Sequence, residues 1–441
     1  MAFDTIFRAY DIRGVYPAQI NEFLARKIGN FCYDVIPTKK ILVGYDMRLS
    51  SKNLFFELVE GITLRGVDVY NIGLCSSAMF YFACAYFGFK AGIMVTASHN
   101  TKEFNGFKFV REKAIPIGYE NGLKIIEKKI RKNIKITRKG KHIDFDIKED
   151  YELFLNEHIE QIKKMKVVID AGNGMGGVDS EILQKYLNVV PMNFKPDGNF
   201  PVHTPNPILA ENIKDICKRV RKEKAVLGIA FDGDVDRVVF IDEQGNPIRS
   251  DYIAALFVSE LHKNETAICD LRMSRNIDKL AESNKVKVVR SRVGHTFVTR
   301  LMRYYDASFG AELSGHYYFK DNYFTDSGIL AAIKLLNIVS RREQTLSEII
   351  KPFETSYLSD EINFKVADKK AVMKKIEKMK GTKEYLDGIT ITGKDYWFNV
   401  RESNTEDLIR LRVESESMDT MNSVINDVRK VIGIEVEYSH F

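Results

Sequence analysis

Short apolar runs that end abruptly at small or acidic polar residues recur along the chain and limit the folds it can adopt. Lys40–Tyr45, Lys166–Asp170 and Ala225–Phe231 are runs of this kind. Between them lie longer segments with helical periodicity, such as 53–65 and 211–223. Strands that alternate with helices form α/β domains built on parallel or mixed sheets. The sequence therefore predicts several α/β units in succession.

The pattern divides the chain into four predicted domains. A charged segment at 139–149 marks the first boundary, and near residue 360 the order changes to strand, helix, strand, strand. A length of 441 residues is ample for this number of hydrophobic cores. We predict α/β domains over residues 1–148, 149–249 and 250–358, and a smaller α+β domain over 359–441.

Composition excludes several classes of protein. Hydrophobic residues make up 45% and charged residues 29% of the chain, as in ordinary folded domains. The net charge of +6 comes without a Lys/Arg block that would indicate nucleic-acid binding. No apolar run approaches the ~18 residues of a membrane span. The five cysteines form no C-x-x-C pair, and the N-terminus lacks a signal-peptide layout, so we expect a cytoplasmic protein.

The segment 92–109 reads as a strand, an exposed loop, a turn and a second strand. Ser98, His99 and Asn100 occupy the loop, and Lys108 lies on the second strand. A serine hydroxyl becomes a good nucleophile only beside a base, a cation or a metal ion. The alternative is a hairpin loop whose Ser and Asn only cap backbone groups. The residues of this segment alone leave both interpretations open.

Three aspartates at alternate positions, Asp232, Asp234 and Asp236, follow the apolar run that ends at Phe231 and precede the run Val238–Ile241. On an extended loop they would share one face and converge on a hard cation. With Glu243 they also match the acidic spacing of an EF-hand. That reading fails because Arg237 occupies the glycine position and strands flank the loop. The spacing predicts a metal site, with a solvated turn as the alternative.

Gly172, Gly174 and Gly177 satisfy G-x-G-x-x-G directly after the run Lys166–Asp170. This layout is typical of dinucleotide-binding sites. The acidic residue expected after the next strand is not clear, because Lys195-Pro196 follows that strand. An NAD-dependent oxidoreductase therefore remains an alternative, beside a glycine turn that only packs a strand on its helix.

Three further stretches have the composition of anion-binding or hydroxyl-binding loops. Tyr10 and Arg13 lie in a segment able to hold an anion, with a surface turn as the alternative. In Glu312-Leu-Ser-Gly-His316, the Glu, Ser and His at alternate positions would point the same way, as groups that bind sugar hydroxyls do. The segment 401–405 (Arg-Glu-Ser-Asn-Thr) suits a phosphate, or alternatively a helix cap or turn.

In this order and over the full length, these motifs resemble those of the α-D-phosphohexomutases, specifically the phosphomannomutase/phosphoglucomutase branch. The resemblance rests on five stretches, which are Tyr10-Asp-Ile-Arg-Gly14, Thr96-Ala-Ser-His-Asn100, Asp232-Gly-Asp-Val-Asp-Arg237, Glu312-Leu-Ser-Gly-His316 and Arg401-Glu-Ser-Asn-Thr405. It implies three similar mixed-sheet α/β domains around a central cleft, plus a C-terminal α+β domain that is TATA-binding-protein-like.

The resemblance also implies an activity and a cofactor. The enzyme would interconvert hexose 1-phosphate and hexose 6-phosphate, of mannose and/or glucose, through a phosphoserine and a hexose 1,6-bisphosphate that reorients in the cleft. One Mg²⁺ would be bound by Ser98, Asp232, Asp234 and Asp236. The positions matching the family's catalytic groups are Ser98, Arg13, His99, Lys108 and His316. Those matching its substrate-binding groups are Tyr10, Arg237, Arg272, His295, Glu312, Ser314, Arg401, Ser403, Asn404 and Thr405.

Departures from the family pattern affect the expected details. Thr101 stands where proline is common, so the serine loop is expected to be less rigid. Arg272 stands where some relatives have a lysine that faces the sugar, and Leu313 argues against the phosphoglucosamine mutase branch, which favours glutamine there. A non-catalytic metal-binding module is the remaining alternative class. The expected partners are small sugar phosphates, without nucleic acid or membrane, and the expected state is a monomer or weak homodimer.

Overall fold

The computed structural model describes residues 6–132, 134, 139–403, 408–433 and 439–440. Two compact units divide the chain. The first comprises residues 1–207, 211–248 and 315–347, and the second comprises 208–210, 249–314 and 348–441.

Helices and strands alternate along most of the chain. The α-helices are α1 (Glu22–Cys32), α2 (Ser51–Thr63), α3 (Ser77–Tyr86), α4 (Lys124–Lys129), α5 (Lys148–Glu157), α6 (Gly176–Asp179), α7 (Ala210–Glu223), α8 (Ser250–Ser259), α9 (Asn276–Ser283), α10 (His295–Tyr305), α11 (Gly328–Arg341), α12 (Leu346–Ile350), α13 (Lys369–Ile376) and α14 (Met418–Ile432). The strands are β1 (Ile12–Val15), β2 (Lys40–Tyr45), β3 (Asp68–Leu74), β4 (Ala91–Val95), β5 (Phe104–Arg111), β6 (Ile115–Ile117), β7 (His142–Asp144), β8 (Lys166–Asp170), β9 (Asn188–Met192), β10 (Leu227–Phe231), β11 (Val238–Ile241), β12 (Pro247–Ile248), β13 (Thr266–Asp270), β14 (Lys287–Ser291), β15 (Phe309–Ala311), β16 (Tyr317–Phe319), β17 (Thr325–Asp326), β18 (Tyr357–Leu358), β19 (Glu361–Lys365), β20 (Thr382–Glu384), β21 (Ile389–Thr392), β22 (Tyr396–Glu402), β23 (Leu408–Ser415) and β24 (Ser439–His440).

The first sheet of the first unit is mixed, as the sequence predicts. Its strand order is β1-β5-β4-β2-β3-β7, with β6 on β5. Strands β2, β3, β4 and β7 run parallel, whereas β5 is antiparallel to β4 and β1. All five residues of β4 are buried. Because β2 and β4 are parallel neighbours, the residues that follow their carboxyl ends lie together, and the Asp46 N–H donates to the Val95 carbonyl at 3.0 Å.

The second sheet of this unit is also mixed, with the order β12-β11-β10-β8-β9. Strand β8 is parallel to both β9 and β10, and β10 is antiparallel to β11. The segment 232–237 joins β10 to β11 at the edge where the parallel strands end. Every residue of β10 and β11 is buried, and this burial fixes the two ends of the connecting loop.

In the second unit, β13 pairs in parallel with both β14 and β15. The C-terminal part is an antiparallel sheet of order β20-β21-β22-β23-β19-β24, with β18 on β23. A core cluster that includes Phe364, Leu411 and Val428 lies between this sheet and the helices α13 and α14. The mixed sheets, together with the C-terminal antiparallel sheet and its helices, match the predicted fold class.

All five cysteines are free and buried. No helix among the described residues is long and apolar enough to cross a lipid bilayer.

Candidate active site

Ser98 lies in the loop between β4 and β5 and is 1% exposed. Its backbone is in the left-handed region, with φ at +49°, which costs free energy for a residue other than glycine. The Ser98 N–H donates to Thr96 Oγ1 at 2.9 Å and so supports this conformation. Strained residues that their surroundings hold in place are common in catalytic loops.

The Ser98 hydroxyl points into a cluster of acidic side chains. Its Oγ donates to Asp232 Oδ2 at 2.8 Å and lies 3.4 Å from Asp236 Oδ1. His99 Nδ1 is 3.1 Å from the same Oγ. Two motifs more than a hundred residues apart in the sequence therefore meet within one unit.

The three aspartates converge because their loop turns sharply, rather than because it is extended as the sequence pattern implied. Val235 has a φ of +65°, unusual for a β-branched residue. Oxygen atoms of Asp232, Asp234 and Asp236 all lie within 4.8 Å of one another, and the three side chains are buried. Burial and the two neighbouring carboxylates raise the pKa of Asp232 well above its usual value. Clustered carboxylates of this kind repel one another unless a cation neutralises them.

The residues of this cluster fit a metal ion bound through oxygen atoms. Asp234 Oδ1 is buried and has no hydrogen-bond partner in the part of the chain that the structure describes. A buried unpaired carboxylate oxygen is costly, and a hard cation such as a divalent metal would satisfy it. Asp236 also belongs to a second group of possible ligands, with His316 and Asp326.

Lys108, on β5, supplies positive charge to the same carboxylates. Its Nζ lies 2.7 Å from Asp234 Oδ2, 2.7 Å from Asp236 Oδ2 and 3.0 Å from Ser77 Oγ. Burial acts to lower the pKa of Lys108, but the two carboxylates outweigh it and raise that pKa well above the usual value. Lys108 is therefore a protonated ammonium group in this arrangement.

Three more predicted residues lie in or against two loops. His99 belongs to the serine loop (residues 96–103), Arg237 belongs to the acidic loop (residues 232–237), and Arg13 contacts the serine loop. Arg13 Nη1 donates to Asn100 Oδ1 at 2.6 Å. The Arg237 N–H donates to Asp232 Oδ1 at 3.1 Å. Burial, with Arg237 and Arg13 nearby, lowers the pKa of His99 well below its usual value, so this imidazole is neutral.

His316 and Tyr10 complete the predicted set in the first unit. His316 Nε2 is 3.4 Å from Asp236 Oδ1 and 3.4 Å from Arg237 Nε. Tyr10 is half-buried in the segment that precedes β1. The structure thus brings His316 against the acidic loop.

In the second unit, arginines gather around one buried carboxylate, Glu361. Arg401 Nη2 lies 2.7 Å from Glu361 Oε1, Arg272 Nη1 lies 3.6 Å from the same oxygen, and Arg410 Nη1 lies 3.3 Å from Oε2. Arg272 is also paired with Asp270. Burial acts to raise the pKa of Glu361, but the three guanidinium groups outweigh it and hold that pKa well below its usual value. The Arg401 Nε–H is buried and has no hydrogen-bond partner among the described residues.

The remaining predicted residues of the second unit occupy loops and a helix start. Glu312 is buried, and its Oε1 accepts from the Gly294 N–H at 2.8 Å. His295 is the first residue of α10. The Ser403 N–H donates to the Leu408 carbonyl at 2.9 Å. Ser314 is half-buried, whereas Asn404 and Thr405 lie outside the described residues.

The segment 312–316 is a loop between β15 and β16 rather than a strand. Gly315 has a φ of +82°, which a residue with a side chain rarely adopts. The directions of Glu312, Ser314 and His316 therefore do not follow from alternation along a strand, which was the basis of the sequence expectation.

The glycine-rich turn after β8 supports the acidic loop. A Cβ atom added at Gly174 would lie 2.7 Å from the Gly233 carbonyl oxygen, and one at Gly177 would lie 2.2 Å from the Phe194 carbonyl oxygen. The Met175 N–H donates to the Gly233 carbonyl at 2.9 Å. The glycines thus permit close backbone packing, which accounts for the motif without a dinucleotide.

Sequence reasoning missed several residues of the site. They are Asp46, Arg48, Ser77, Thr96 and Glu361, each buried and polar. Asp46 offered a usable signal, because it follows the apolar strand β2 as Asp232 follows β10. Ser77 and Glu361 have no such signal, since their partners are far away in the sequence.

Comparison with known families matches the chain to four models in order. Their descriptions are phosphoglucomutase/phosphomannomutase alpha/beta/alpha domain I over residues 4–137, domain II over 148–245, domain III over 249–357, and the C-terminal domain over 361–431. Together the models cover most of the sequence. The exact domain boundaries at 148/149, 249/250 and 358/359 stay predictions.

Individual proteins of this type are similar over nearly the whole chain. A phosphomannomutase of Methanocaldococcus jannaschii is 37% identical over 439 residues, covering 97% of each chain. A phosphomannomutase of Escherichia coli K12 is 36% identical over 432 residues, covering 93% of this chain and 95% of the relative. The crystal structure of a phosphoglucomutase/phosphomannomutase family protein from Burkholderia thailandensis aligns with a TM-score of 0.90 at 28% identity, covering 97% of this chain and 96% of that one.

Proposed function

Because the chain belongs to the phosphoglucomutase/phosphomannomutase family, it is a phosphohexomutase of the isomerase class, and we propose that Ser98 carries its phosphoryl group. The observation that carries this proposal is the 2.8 Å hydrogen bond from Ser98 Oγ to Asp232 Oδ2 within the buried acidic cluster. A hydroxyl presented to a cation site is suited to hold and release a phosphoryl group.

The reaction has two phosphoryl transfers. In the first, the free hydroxyl oxygen of a hexose monophosphate forms a bond to phosphorus as the bond from phosphorus to Ser98 Oγ breaks, and the hydroxyl gives its proton to a base. The hexose 1,6-bisphosphate then reorients. In the second, Ser98 Oγ takes the other phosphoryl group, and the oxygen released from it regains a proton. Positioning and charge neutralisation supply most of the catalysis in such transfers.

We propose Mg²⁺ as the metal, held by Asp232, Asp234, Asp236 and the oxygen atoms on Ser98. When bound, it would neutralise negative charge on the transferred phosphoryl group. Two observations support a hard cation over a softer metal: the ligands are all oxygen atoms, and Asp234 Oδ1 has no hydrogen-bond partner among the residues that the structure describes. Arg237 and Lys108 would add further positive charge.

Proton transfer requires a group close to the transferred phosphoryl. His99 Nδ1 lies 3.1 Å from Ser98 Oγ, and Lys108, His316 and Arg13 each contact the acidic loop or the serine loop. We propose that the base and the acid belong to this set of four.

Substrate binding is proposed for residues of the second unit and for Tyr10 and Arg237. The Arg401 Nε–H, which has no hydrogen-bond partner within the described ranges, and the excess of guanidinium groups around Glu361 support phosphate binding by Arg401. We propose that the same phosphate group is also bound by Ser403, Asn404 and Thr405. The proposed sugar-facing residues are Arg272, His295, Glu312 and Ser314.

The hexose is proposed to be mannose and/or glucose. The named relatives are phosphomannomutases, and Leu313 supports this branch over phosphoglucosamine mutase. The proposal extends to hexose 1,6-bisphosphate as activator and to a cytoplasmic monomer or weak homodimer. Initial rates with mannose, glucose and glucosamine 1-phosphates would rank the sugars.

The test of the phosphoserine is intact-protein mass before and after incubation with glucose 1,6-bisphosphate and Mg²⁺. Wild type should gain one phosphoryl group, Ser98→Ala should gain none, and Ser283→Ala, a control on α9, should behave as wild type. A phosphoryl group that persists in Ser98→Ala would overturn the proposal, as would a wild type that never takes one up.

A further inference from the structure

Arg48 is 2% exposed and donates hydrogen bonds to four backbone carbonyls in the serine loop and at the start of β5. Its Nη2 lies 2.6 Å from the Ser98 carbonyl oxygen and 2.7 Å from that of Asn100. Its Nη1 lies 2.8 Å from the Thr101 carbonyl oxygen and 3.0 Å from that of Phe104. One guanidinium group thus binds the negative ends of four peptide dipoles between Ser98 and Phe104.

The guanidinium is itself held in place on its other edge. Arg48 Nε lies 3.2 Å from Asp46 Oδ2, and the same carboxylate accepts from Ser51 Oγ at 2.5 Å and from Thr96 Oγ1 at 2.7 Å. The ring of Phe200 lies 5.2 Å from the guanidinium carbon. A buried cation is tolerated when its donors are satisfied in this way.

The arrangement also bears on Thr101, which stands where proline is common in the family. Proline would fix the backbone of the loop covalently. Here the Arg48 Nη1 hydrogen bond fixes the Thr101 carbonyl instead. Thr96 and Arg48 both contact the backbone of Ser98: Thr96 Oγ1 accepts from its N–H, and Arg48 Nη2 donates to its carbonyl oxygen.

We propose that Arg48 is a positioning residue, which holds the backbone of residues 98–104 so that the Ser98 hydroxyl meets the acidic cluster. This inference rests on the proposed phosphoserine at Ser98. Arg48 makes no hydrogen bond to the hydroxyl, so its effect is geometric. A displacement of the reacting group by about 1 Å can lower a rate roughly 100-fold. Lysine cannot replace arginine here, because an ammonium group lacks the planar fork that reaches two pairs of carbonyls.

The experiment compares Arg48→Lys and Arg48→Ala with wild type, and with Arg26→Ala, which removes a surface ion pair to Glu57. Steady-state kinetics should show kcat lowered roughly 100-fold in both Arg48 variants, with KM changed less than about threefold because the substrate-binding residues are intact. Single-turnover phosphorylation by glucose 1,6-bisphosphate, followed by intact mass, should slow by the same factor as kcat.

Chemical rescue separates positioning from a general loss of structure. Millimolar guanidinium chloride should restore part of the kcat of Arg48→Ala, by refilling the space between the carbonyls, and should leave Arg26→Ala and wild type unchanged. If Arg48→Ala does not fold, Arg48→Lys carries the test through the split between kcat and KM and through faster amide hydrogen exchange over 98–104.

A wild-type kcat in Arg48→Lys overturns the inference, and so does a loss that appears only in KM. A wild type that takes up no phosphoryl group overturns the proposed function instead. The two failures are therefore distinguishable.

Discussion

Ser77 binds Asp234 twice: its Oγ donates to Asp234 Oδ2 at 2.5 Å, and its backbone N–H donates to the Asp234 carbonyl at 2.9 Å. Ser77 Oγ also accepts from Lys108 Nζ at 3.0 Å. The start of α3 therefore fixes the orientation of a proposed metal ligand. Residues that donate hydrogen bonds to metal ligands commonly have this role.

We expect Ser77→Ala to raise the Mg²⁺ concentration that gives half-maximal activity by roughly 10-fold. The reason is that Asp234 loses the 2.5 Å hydrogen bond from Ser77 Oγ, one of the contacts that orient its carboxylate. Initial rates across a Mg²⁺ titration measure the effect, and Ser283→Ala on α9 serves as the matched control. An unchanged Mg²⁺ requirement in Ser77→Ala would show that the other contacts of Asp234 are sufficient, which are the backbone hydrogen bond and those from Lys108 and Thr96 to its carboxylate.

Asp179 should make stability fall as pH rises towards neutrality. Burial raises its pKa to about 7, whereas an unfolded aspartate has a pKa of about 3.9. The folded state therefore binds the proton more tightly, so this contribution to stability is full below about pH 4 and is lost as pH rises through 7. Its side chain accepts from Ser76 Oγ at 2.7 Å, a bond that asparagine keeps.

Asp179→Asn removes this dependence. The difference in apparent Tm, variant minus wild type, should be more positive at pH 8.5 than at pH 5.5, at constant ionic strength and scan rate. The control is Asp215→Asn, at an exposed ion pair with Lys218. Its difference in apparent Tm from wild type should be the same at both pH values. Equal differences at the two pH values would mean that Asp179 is ionised in the folded protein.

Glu361→Gln should destabilise the second unit, because it leaves Arg272, Arg401 and Arg410 without their shared carboxylate. Removing one partner of a buried ion pair costs about 3–5 kcal/mol. Inorganic phosphate should restore more of the apparent Tm in this variant than it adds to wild type, since an anion can take the place of the carboxylate. Glu384→Gln, at a more exposed pair with Arg275, is the control. If phosphate raises the apparent Tm of Glu361→Gln by the same amount as that of wild type, anion binding by these arginines is contradicted.

Gly174→Ala should destabilise the first unit more than Gly172→Ala does. At Gly174 an added Cβ would meet the Gly233 backbone at 2.7–2.8 Å, whereas at Gly172 the nearest atom is 3.4 Å away and only the left-handed φ of +53° is unfavourable. The latter costs about 1 kcal/mol. Thermal scans with and without NAD distinguish a packing role of these glycines from dinucleotide binding. A packing role predicts the larger loss of Tm in Gly174→Ala and no change of Tm with NAD. A wild-type Tm raised by NAD would support dinucleotide binding instead.

Strand positions followed well from the sequence where an apolar run has polar residues on both sides. Lys40–Tyr45, Lys166–Asp170 and Val238–Ile241 were predicted with the bounds that the structure gives. Helix α14 was missed, although Met421, Val424, Ile425, Val428 and Ile432 form a buried face with helical spacing. This spacing is typical of an amphipathic helix.

The site was predictable only where chemistry is concentrated in a short segment. The Ser98 loop and the acidic loop could each be named from their residues, and the family resemblance supplied the link between them. Arg48, Ser77 and Glu361 could not be found in this way. Their partners are distant carbonyls or side chains that only the packed sheets bring within reach, so no local spacing records them.

The burial of every cysteine makes the native chain nearly inert to thiol reagents. Burial raises the pKa of Cys32, Cys84 and Cys269 to about 12, and the thiolate is the reactive form. A single cysteine introduced at an exposed lysine, such as Lys218→Cys on α7, would therefore react selectively with a maleimide dye in the otherwise unaltered sequence. Fluorescent or spin labels can thus be placed one at a time on the native background.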